Sequence, residues 1–192
     1  MALILHLEGY LPWMDLCREA YRQAGVPFCI FPVAEAQQAA FLSDMLPRCR
    51  PSFLALTGHD RAEAATSAHT ADFLRAVTAA RRWEPDPDSL FIFAGACGSD
   101  AAAIQKAGAN FASSPGRIPI SVLDPVRLLL AASSCPPGER IHPSRLIAAT
   151  LCGSAGIAGS PCRAPFPYES TSPCSFSSTC RASSSLLPRT PK

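Results

Sequence analysis

The 192-residue sequence contains no run of basic residues, and its formal net charge at pH 7 is only +2. A chain so near neutrality gives no reason to expect a nucleic acid or an anionic membrane as its partner. No apolar stretch approaches the roughly 18 residues needed to span a bilayer. The N-terminus also lacks the charged segment, apolar stretch and cleavage site of a signal peptide. We therefore expect a cytoplasmic protein without a membrane partner.

Cofactor-binding motifs are lacking as well. The sequence has no G-x-G-x-x-G segment and no phosphate-binding P-loop, so a nucleotide cofactor is not supported. Its nine cysteines form no C-x-x-C pair and no Cys/His cluster with the spacing of a zinc site. An odd number of cysteines in an apparently cytosolic chain argues against a disulfide framework. We expect no cofactor and no metal.

Hydrophobic residues make up 48% of the chain and charged residues 17%, which is ample for a core. Apolar stretches predict strands at 2–7, 26–33, 53–57, 90–93, 110–112 and 118–123. Helical periodicity predicts helices at 11–24, 34–46, 70–82, 101–107, 125–132 and 143–151. This alternation predicts an α/β fold with three layers, a Rossmann-like and mainly parallel sheet with helices on both faces.

The composition changes near residue 160, where serine and proline become frequent and periodicity is lost. Such a segment cannot bury much apolar surface. We therefore expect a single domain at 1–158 and an irregular tail at 159–192. A truncation after Gly159 would then leave thermal stability nearly unchanged.

One stretch combines a predicted buried strand with a candidate nucleophile. The strand at 90–93 is followed by small residues that allow a sharp turn and leave Cys97 uncrowded. Ser99 or Asp100 can then cap the helix at 101–107. A cysteine between a strand and a helix N-terminus is in a position that favours the reactive thiolate. The alternative is a buried structural cysteine.

A candidate base follows the preceding strand. The apolar stretch at 53–57 leads directly to Gly58 and His59. Because parallel strands end at the same edge, His59 and Cys97 would emerge together where open α/β sheets place their sites. A thiol nucleophile needs a base within hydrogen-bond reach, and histidine is the usual one. The sequence thus predicts a catalytic His/Cys dyad, with an ordinary polar loop residue as the alternative for His59.

Several blocks of this sequence are recognisable in combination. They are LHLEG at 5–9, AGVP at 24–27, LTGHD at 56–60, FIFAGAC at 91–97, AGANFASSP at 107–115 and LDPV at 123–126. Through them, residues 3 to about 157 resemble the sporulation-specific YabG protease family of endospore-forming bacteria. The order of histidine and then cysteine after two apolar blocks is also similar to the caspase-like peptidases, which implies a caspase-like variant of the sheet.

The resemblance implies a function as well as a fold. Family members are cysteine endopeptidases of the mother cell that process spore-coat and cortex-associated proteins, with a preference for basic residues, notably arginine. The expected protein is therefore a cytoplasmic or coat-associated hydrolase with protein substrates. The family also carries an additional N-terminal region, so this chain is expected to begin where the peptidase domain begins.

In this interpretation Cys97 is the nucleophile and His59 the base that later returns a proton to the leaving amine. Backbone N–H groups near Gly58 and Cys97 are candidates for stabilising the oxyanion. Asp60 either orients His59 or only caps the next segment. Caspase-like enzymes have glycine after the histidine, and Asp60 stands at that position here.

Candidate substrate-binding residues lie in the later loops. An arginine-selective pocket needs a carboxylate for the guanidinium group, and Asp124 and Asp100 are candidates by position. Asn110, Ser113 and Ser114 lie on a loop expected at the active edge and can contact substrate backbone. The alternative for each of these residues is cap or turn chemistry, which such residue types favour.

Two other functions stay open. The segment GACGS at 95–99 approaches the Gly-x-Cys-x-Gly turn of glutamine amidotransferases, a different class of thiol hydrolase. In that class the catalytic histidine follows the cysteine, and the only later histidine is His142, which precedes Pro143. The second alternative is a catalytically inactive α/β paralogue that acts as a binding module.

Overall fold

The computed structural model describes residues 2–59 and 69–168. Its strands are β1 (Ile4–Glu8), β2 (Phe28–Pro32), β3 (Phe53–Thr57), β4 (Phe91–Gly95), β5 (Phe111–Ala112), β6 (Arg140–Ile141), β7 (Ala158–Gly159) and β8 (Cys162–Arg163). Its helices are α1 (Met14–Ala24), α2 (Glu35–Cys49), α3 (Thr70–Trp83), α4 (Ala101–Lys106), α5 (Asp124–Ser133), α6 (Pro143–Ile147) and α7 (Gly153–Gly156). A short 3-10 helix, Leu11–Trp13, precedes α1.

The main sheet has six strands in the order β2-β1-β3-β4-β5-β7. The first five are parallel to one another, and β7 is antiparallel to β5. Every residue of β1, β3 and β4 is buried, as expected for parallel strands covered on both faces. The predicted α/β fold with a mainly parallel sheet is confirmed. The prolines near the ends of β2 correctly predict its edge position.

Two apolar cores flank this sheet. Leu5 and Leu7 of β1 face helices α2 and α3, where they pack with residues such as Phe73. Ile4 points to the opposite face, which α1 and α5 cover with residues such as Tyr21. Fully burying one large apolar side chain stabilises a fold by about 1.5–3 kcal/mol. The two cores together therefore fix the sheet, and with it the relative positions of the strand ends.

The predicted sixth strand at 118–123 is wrong. This segment contains Pro119, and its amides are hydrogen-bonded to side chains rather than to a neighbouring strand. Ile118 N–H donates to Ser114 Oγ, and Ile120 N–H donates to Cys97 Sγ. The sixth strand of the sheet is instead β7, a two-residue antiparallel pairing that a periodicity argument does not detect.

The predicted end of the second helix at residue 46 is also wrong, because α2 continues through Pro47 to Cys49. Proline lacks only its own N–H, so a helix can run on when the later amides find acceptors. Here Arg50 N–H donates to Leu46 O at 2.9 Å, and Arg50 ends the helix in a left-handed conformation.

The first residues of the expected tail are packed on the domain. β8 pairs with β6, and Cys162 and Ala164 are buried in the core on the α1/α5 side. Ser52 Oγ donates a hydrogen bond to Phe166 O at 3.2 Å. The expectation of an irregular segment that adds little to the core is therefore wrong for residues 160–168, whereas residues 169–192 lie outside the described part of the chain.

Candidate functional site

Strands β3 and β4 are neighbours, and their register pairs Thr57 with Gly95. His59 and Cys97 each follow two residues later, so they leave the carboxyl edge of the sheet at equivalent positions. Both residues line one cleft of about 280 Å³. Its other lining residues are Glu8, Trp13, Thr57, Gly58, Gly95, Ala96, Pro119, Ile120, Ser121, Val122 and Pro125.

The turn that carries Cys97 depends on small residues. Gly95 has φ +125°, in the region that favours glycine, and a Cβ there would lie 2.5 Å from Ser113 O. Ala96 N–H donates to Ser99 Oγ at 2.9 Å, while Ser99 N–H donates back to Ala96 O at 3.1 Å. These bonds close a tight turn, and its tip holds Cys97.

The Cys97 thiol is half-buried, and the amide of Ile120 donates a hydrogen bond to its sulfur at 3.4 Å. A thiolate accepts such a bond better than a thiol does. Next along the loop, Ser121 N–H donates to Cys152 Sγ at 3.3 Å. The loop of residues 119–122 therefore forms the wall of the cleft on the Cys97 side and contacts two cysteines with consecutive amides.

His59 is exposed and its ring stacks on Tyr10, with the ring centroids 4.6 Å apart and an interplanar angle of 28°. Its backbone N–H donates to Glu35 Oε1 at 3.0 Å. Among the residues that the structure describes, none forms a hydrogen bond with the imidazole nitrogens of His59. One face of the ring is therefore occupied by Tyr10, and its nitrogens have no hydrogen-bond partner among residues 2–59 and 69–168.

Glu35 fits between two glycines. A Cβ on Gly58 would lie 2.0 Å from Glu35 Oε1, and a Cβ on Gly9 would lie 2.5 Å from the same atom. Both distances are far shorter than a Cβ contact allows, so a side chain at either position would force the buried carboxylate to move. Gly58, which was predicted to contact substrate, lines the cleft and also makes room for the carboxylate that binds His59 N–H.

A buried polar chain lies below the His59 side of the cleft. Tyr21 Oη contacts His6 Nδ1 at 3.2 Å, and His6 Nε2 contacts Thr57 Oγ1 at 2.7 Å. Thr57 donates to Glu8 Oε2 at 2.7 Å, and Tyr10 N–H donates to Glu8 Oε1 at 2.8 Å. One proton arrangement satisfies all of these bonds, with Tyr21 donating to Nδ1 and Nε2–H donating to Thr57.

Burial sets the ionisation of this chain. Complete burial lowers the pKa of His6 to about 3, so the ring is neutral at pH 7 and its 3.7 Å contact with Glu8 is no ion pair. Desolvation raises the pKa of Glu8, and hydrogen bonds from Tyr10 and Thr57 oppose that effect. His6 does not line the cleft, consistent with the absence of any predicted role for it.

The two acids predicted for an arginine pocket are used elsewhere. Asp124 is completely buried, and its carboxylate accepts the backbone N–H groups of Ser121, Leu151 and Cys152 at 2.6–3.3 Å. Asp100 Oδ1 accepts the N–H of Ala103 and caps α4. Neither residue lines the cleft. The cap reading of Asp100 is confirmed.

The polar residues of the 110–114 loop are buried rather than exposed to a substrate. Asn110 Oδ1 accepts the N–H of Ile92 at 2.8 Å and a guanidinium N–H of Arg81 at 2.8 Å. Ser113 Oγ donates to Ala96 O, and Ser114 Oγ accepts the N–H of Ile118. These three loop residues are buried, and they do not line the cleft. Asp60 lies outside the described residues.

The sequence argument missed three residues of this site: Glu8, Tyr10 and Glu35. Glu8 ends β1, so the rule that located His59 and Cys97 at strand ends applies to it equally. Tyr10 follows two residues later and is found by the same rule. Glu35 begins α2 and has no such signal, because its contact with His59 spans 24 residues of sequence.

Within residues 2–59 and 69–168, no group of three or more His, Cys, Asp or Glu side chains has the arrangement of a metal site. No helix in the same part of the chain combines the length and the apolar character needed to cross a membrane.

Comparison with known proteins agrees with the sequence motifs. The family model of the YabG peptidase U57 matches residues 1–167. The sporulation-specific protease YabG of Bacillus subtilis (strain 168) is 35% identical over 164 residues, which cover 81% of this chain and 57% of that protein. No solved structure matches the chain significantly. On the family match and this identity, the chain belongs to the YabG peptidase U57 family.

Proposed function

We propose that this protein is a cysteine endopeptidase in which Cys97 and His59 form the catalytic dyad. The observation that carries the proposal is their shared cleft: both residues leave adjacent parallel strands at the same register position and line the same cavity. Covalent catalysis needs a nucleophile and a base that come within hydrogen-bond reach, and a shared cleft at one edge of the sheet supports such an approach. Membership in a peptidase family supports the same reaction class.

In the proposed reaction, an edge nitrogen of His59 takes the Cys97 proton, and the thiolate attacks the scissile carbonyl carbon. Collapse of the tetrahedral intermediate breaks the C–N bond, and His59 returns the proton to the leaving amine. Water, deprotonated by His59, then hydrolyses the thioester, which releases the acid and regenerates the thiol. The N–H that Ile120 donates to the Cys97 sulfur supports the role of the thiolate, and the stacking of His59 on Tyr10 through its face, not its nitrogens, supports the role of the base.

The oxyanion needs backbone donors, and one candidate is already engaged. The N–H of His59 donates to Glu35, so it is not free to bind a developing negative charge. We therefore place the oxyanion contact on the Cys97 side of the cleft, in the tight turn formed by Gly95 and the residues after it. Removing one donor of this kind typically lowers the rate by about 10²–10³-fold.

We further propose a preference for substrates with a basic residue, notably arginine, at the cleavage site. In the described part of the chain, Glu8 is the only acidic residue that lines the cleft, and it shares the cleft with the indole of Trp13. A carboxylate and an aromatic ring that line one cleft are suited to a guanidinium group. Glu8 thus replaces Asp124 and Asp100 as the candidate for this contact.

The proposed substrates are spore-coat and cortex-associated proteins, processed in the mother-cell cytoplasm or at the coat. The relative from Bacillus subtilis is named a sporulation-specific protease, and this chain spans 57% of its length. The glutamine amidotransferase alternative lacks support, because His142 does not line the cleft and contacts Ser144 instead. The following experiment distinguishes an active peptidase from a catalytically inactive binding module.

The test uses the full chain and fluorogenic peptides that differ only at one position, with arginine, alanine or aspartate before the cleaved bond. We expect cleavage of the arginine peptide to be lost in Cys97→Ala and His59→Ala and nearly lost in Cys97→Ser, because a hydroxyl ionises far less than a thiol. Cys29→Ala, at a half-buried thiol outside the cleft, is the matched control and is expected to stay active. Full activity of Cys97→Ala would refute the nucleophile, and no cleavage by the wild type would favour a binding module.

A further inference from the structure

We propose that Tyr10 is the positioning residue for His59, holding the imidazole by face-to-face stacking. The inference rests on the proposed function, because it explains how the proposed base keeps its orientation. In many hydrolases with a nucleophile and a histidine, a third side chain orients the base through a hydrogen bond to the ring. Here the Tyr10 ring would orient the base by stacking on the face of the imidazole.

The contacts of His59 lead to this assignment. Its ring lies 4.6 Å from the Tyr10 ring at an angle of 28°, a stacked arrangement. No described residue forms a hydrogen bond with the imidazole nitrogens, so no carboxylate or amide in the described part of the chain orients the ring. Stacking on one face fixes the plane of the imidazole and does not involve the two nitrogens at its edge, which the proposed proton transfers require.

Tyr10 is itself held in place, which a positioning residue requires. Its backbone N–H donates to Glu8 Oε1 at 2.8 Å, and the neighbouring Gly9 N–H donates to Thr57 O at 2.9 Å. The Tyr10 ring also contacts Trp13, with the ring centroids 5.5 Å apart. These bonds tie Tyr10 to the ends of β1 and β3, the same strand ends that set the position of His59.

The backbone of His59 has a separate anchor. Glu35 Oε1 accepts its N–H, and the carboxylate of Glu35 is confined between Gly9 and Gly58. Glu35 therefore fixes the main chain while Tyr10 fixes the ring. With both constraints, the imidazole has little rotational freedom before the substrate arrives, and such preorganisation is needed for efficient proton transfer.

The test compares Tyr10→Phe, which keeps an aromatic face, with Tyr10→Leu, which removes it. We expect Tyr10→Phe to retain most of the kcat, whereas Tyr10→Leu loses about 10- to 100-fold in kcat with KM nearly unchanged, as expected for a misplaced catalytic group. Tyr168→Leu is the matched control, because the Tyr168 ring packs at a tilted angle against Trp83, which does not line the cleft. Circular dichroism and thermal melting check that each variant is folded.

Two further readouts do not depend on turnover. The rate of Cys97 alkylation by iodoacetamide is expected to fall in Tyr10→Leu as it does in His59→Ala, and to stay near wild type in Tyr10→Phe. In NMR spectra, the ring protons of His59 are expected to lose the ring-current shift from the phenol ring only in Tyr10→Leu.

Equal kcat and equal alkylation rates in Tyr10→Leu and wild type would overturn the inference. Loss of kcat in Asp60→Asn with an unaffected Tyr10→Leu would also overturn it and assign the orienting role to Asp60. If the wild type cleaves no peptide but the alkylation and ring-current results are as expected, the proposed function fails and the positioning role stands. If His59→Ala leaves Cys97 alkylation unchanged, the dyad and the inference fail together.

Discussion

The two sides of the cleft are held in place by different kinds of interaction. On the Cys97 side, small residues and short-range bonds form the turn, as in the reciprocal bonds between Ala96 and Ser99. On the His59 side, a buried carboxylate and a buried polar chain reach across the sheet, as in the contact between His6 and Thr57, which spans 51 residues. The turn that holds Cys97 is thus closed by local bonds, whereas the base side depends on the complete fold.

On the Cys97 side, Asp124 makes contacts with residues distant in sequence, and it provides the strongest test of this contrast. Asp124 is buried and accepts three backbone N–H groups at 2.6–3.3 Å, two of them from the loop before α7. We expect Asp124→Leu to destabilise the fold by about 3 kcal/mol or more, because each orphaned buried donor costs roughly 1–3 kcal/mol. Urea unfolding measures the loss. Since Asp124 is outside the cleft, Asp124→Asn should recover part of the stability without changing arginine preference.

This contrast explains what sequence analysis could predict. Neighbouring residues determine the parallel strands, the caps and the Gly-rich turn. The α/β fold and the placement of Cys97 and His59 at strand ends could therefore be predicted. The loop at 118–123 has the composition of a strand, but its amides bond to side chains such as Ser114 Oγ. The role of Glu35 could not be predicted from the sequence, because nothing in α2 indicates that its first side chain will bind the backbone of His59.

Residues 160–168, at the end of the described chain, provide the second test, because their contacts are also with residues distant in sequence. Truncation after Gly159 removes β8 and the buried Cys162 and Ala164. Contrary to the expectation from composition, we predict a loss of about 2–3 kcal/mol, from the apolar area and the hydrogen bonds removed. Truncation after Tyr168 is the matched control and should leave the melting temperature nearly unchanged. Equal melting temperatures of the two truncations would show that residues 160–168 add nothing to stability.

The buried polar chain predicts a pH dependence on the His59 side. Because burial lowers the pKa of His6 to about 3 from 6.5 in the unfolded chain, the unfolded state binds a proton first as pH falls. The stability that neutral His6 confers is complete above pH 6.5 and declines towards pH 3, by about 2 kcal/mol at pH 5. Glu8 acts in the opposite sense, because its raised pKa favours the folded state as it takes up a proton.

The measurement is urea unfolding at pH 7 and pH 5 for wild type and His6→Gln. We expect the variant to be less stable at pH 7 but to lose less stability on acidification than the wild type. Glu8→Gln serves as the control of opposite sign and should make the acid loss steeper. An identical decrease in wild type and His6→Gln would show that another group causes the pH dependence.

The smallest expected effect on stability tests the backbone anchor of the base. In Gly58→Ala the new Cβ would lie 2.0 Å from Glu35 Oε1, so the carboxylate must move and release the N–H of His59. Because the end of a glutamate side chain can shift, we expect a cost of only about 1 kcal/mol, the low end for overpacking. Activity should fall more than stability, since His59 loses its main-chain anchor.

A double-mutant cycle separates this contact from a general backbone effect. In the Glu35→Ala background the carboxylate is gone, so Gly58→Ala should cost almost nothing further in unfolding free energy or in kcat. Gly9→Ala, whose Cβ would lie 2.5 Å from the same oxygen, should show the same coupling to Glu35. Additive effects in both cycles would mean that the two glycines are required by the backbone itself, and that the main chain of His59 is not held by Glu35.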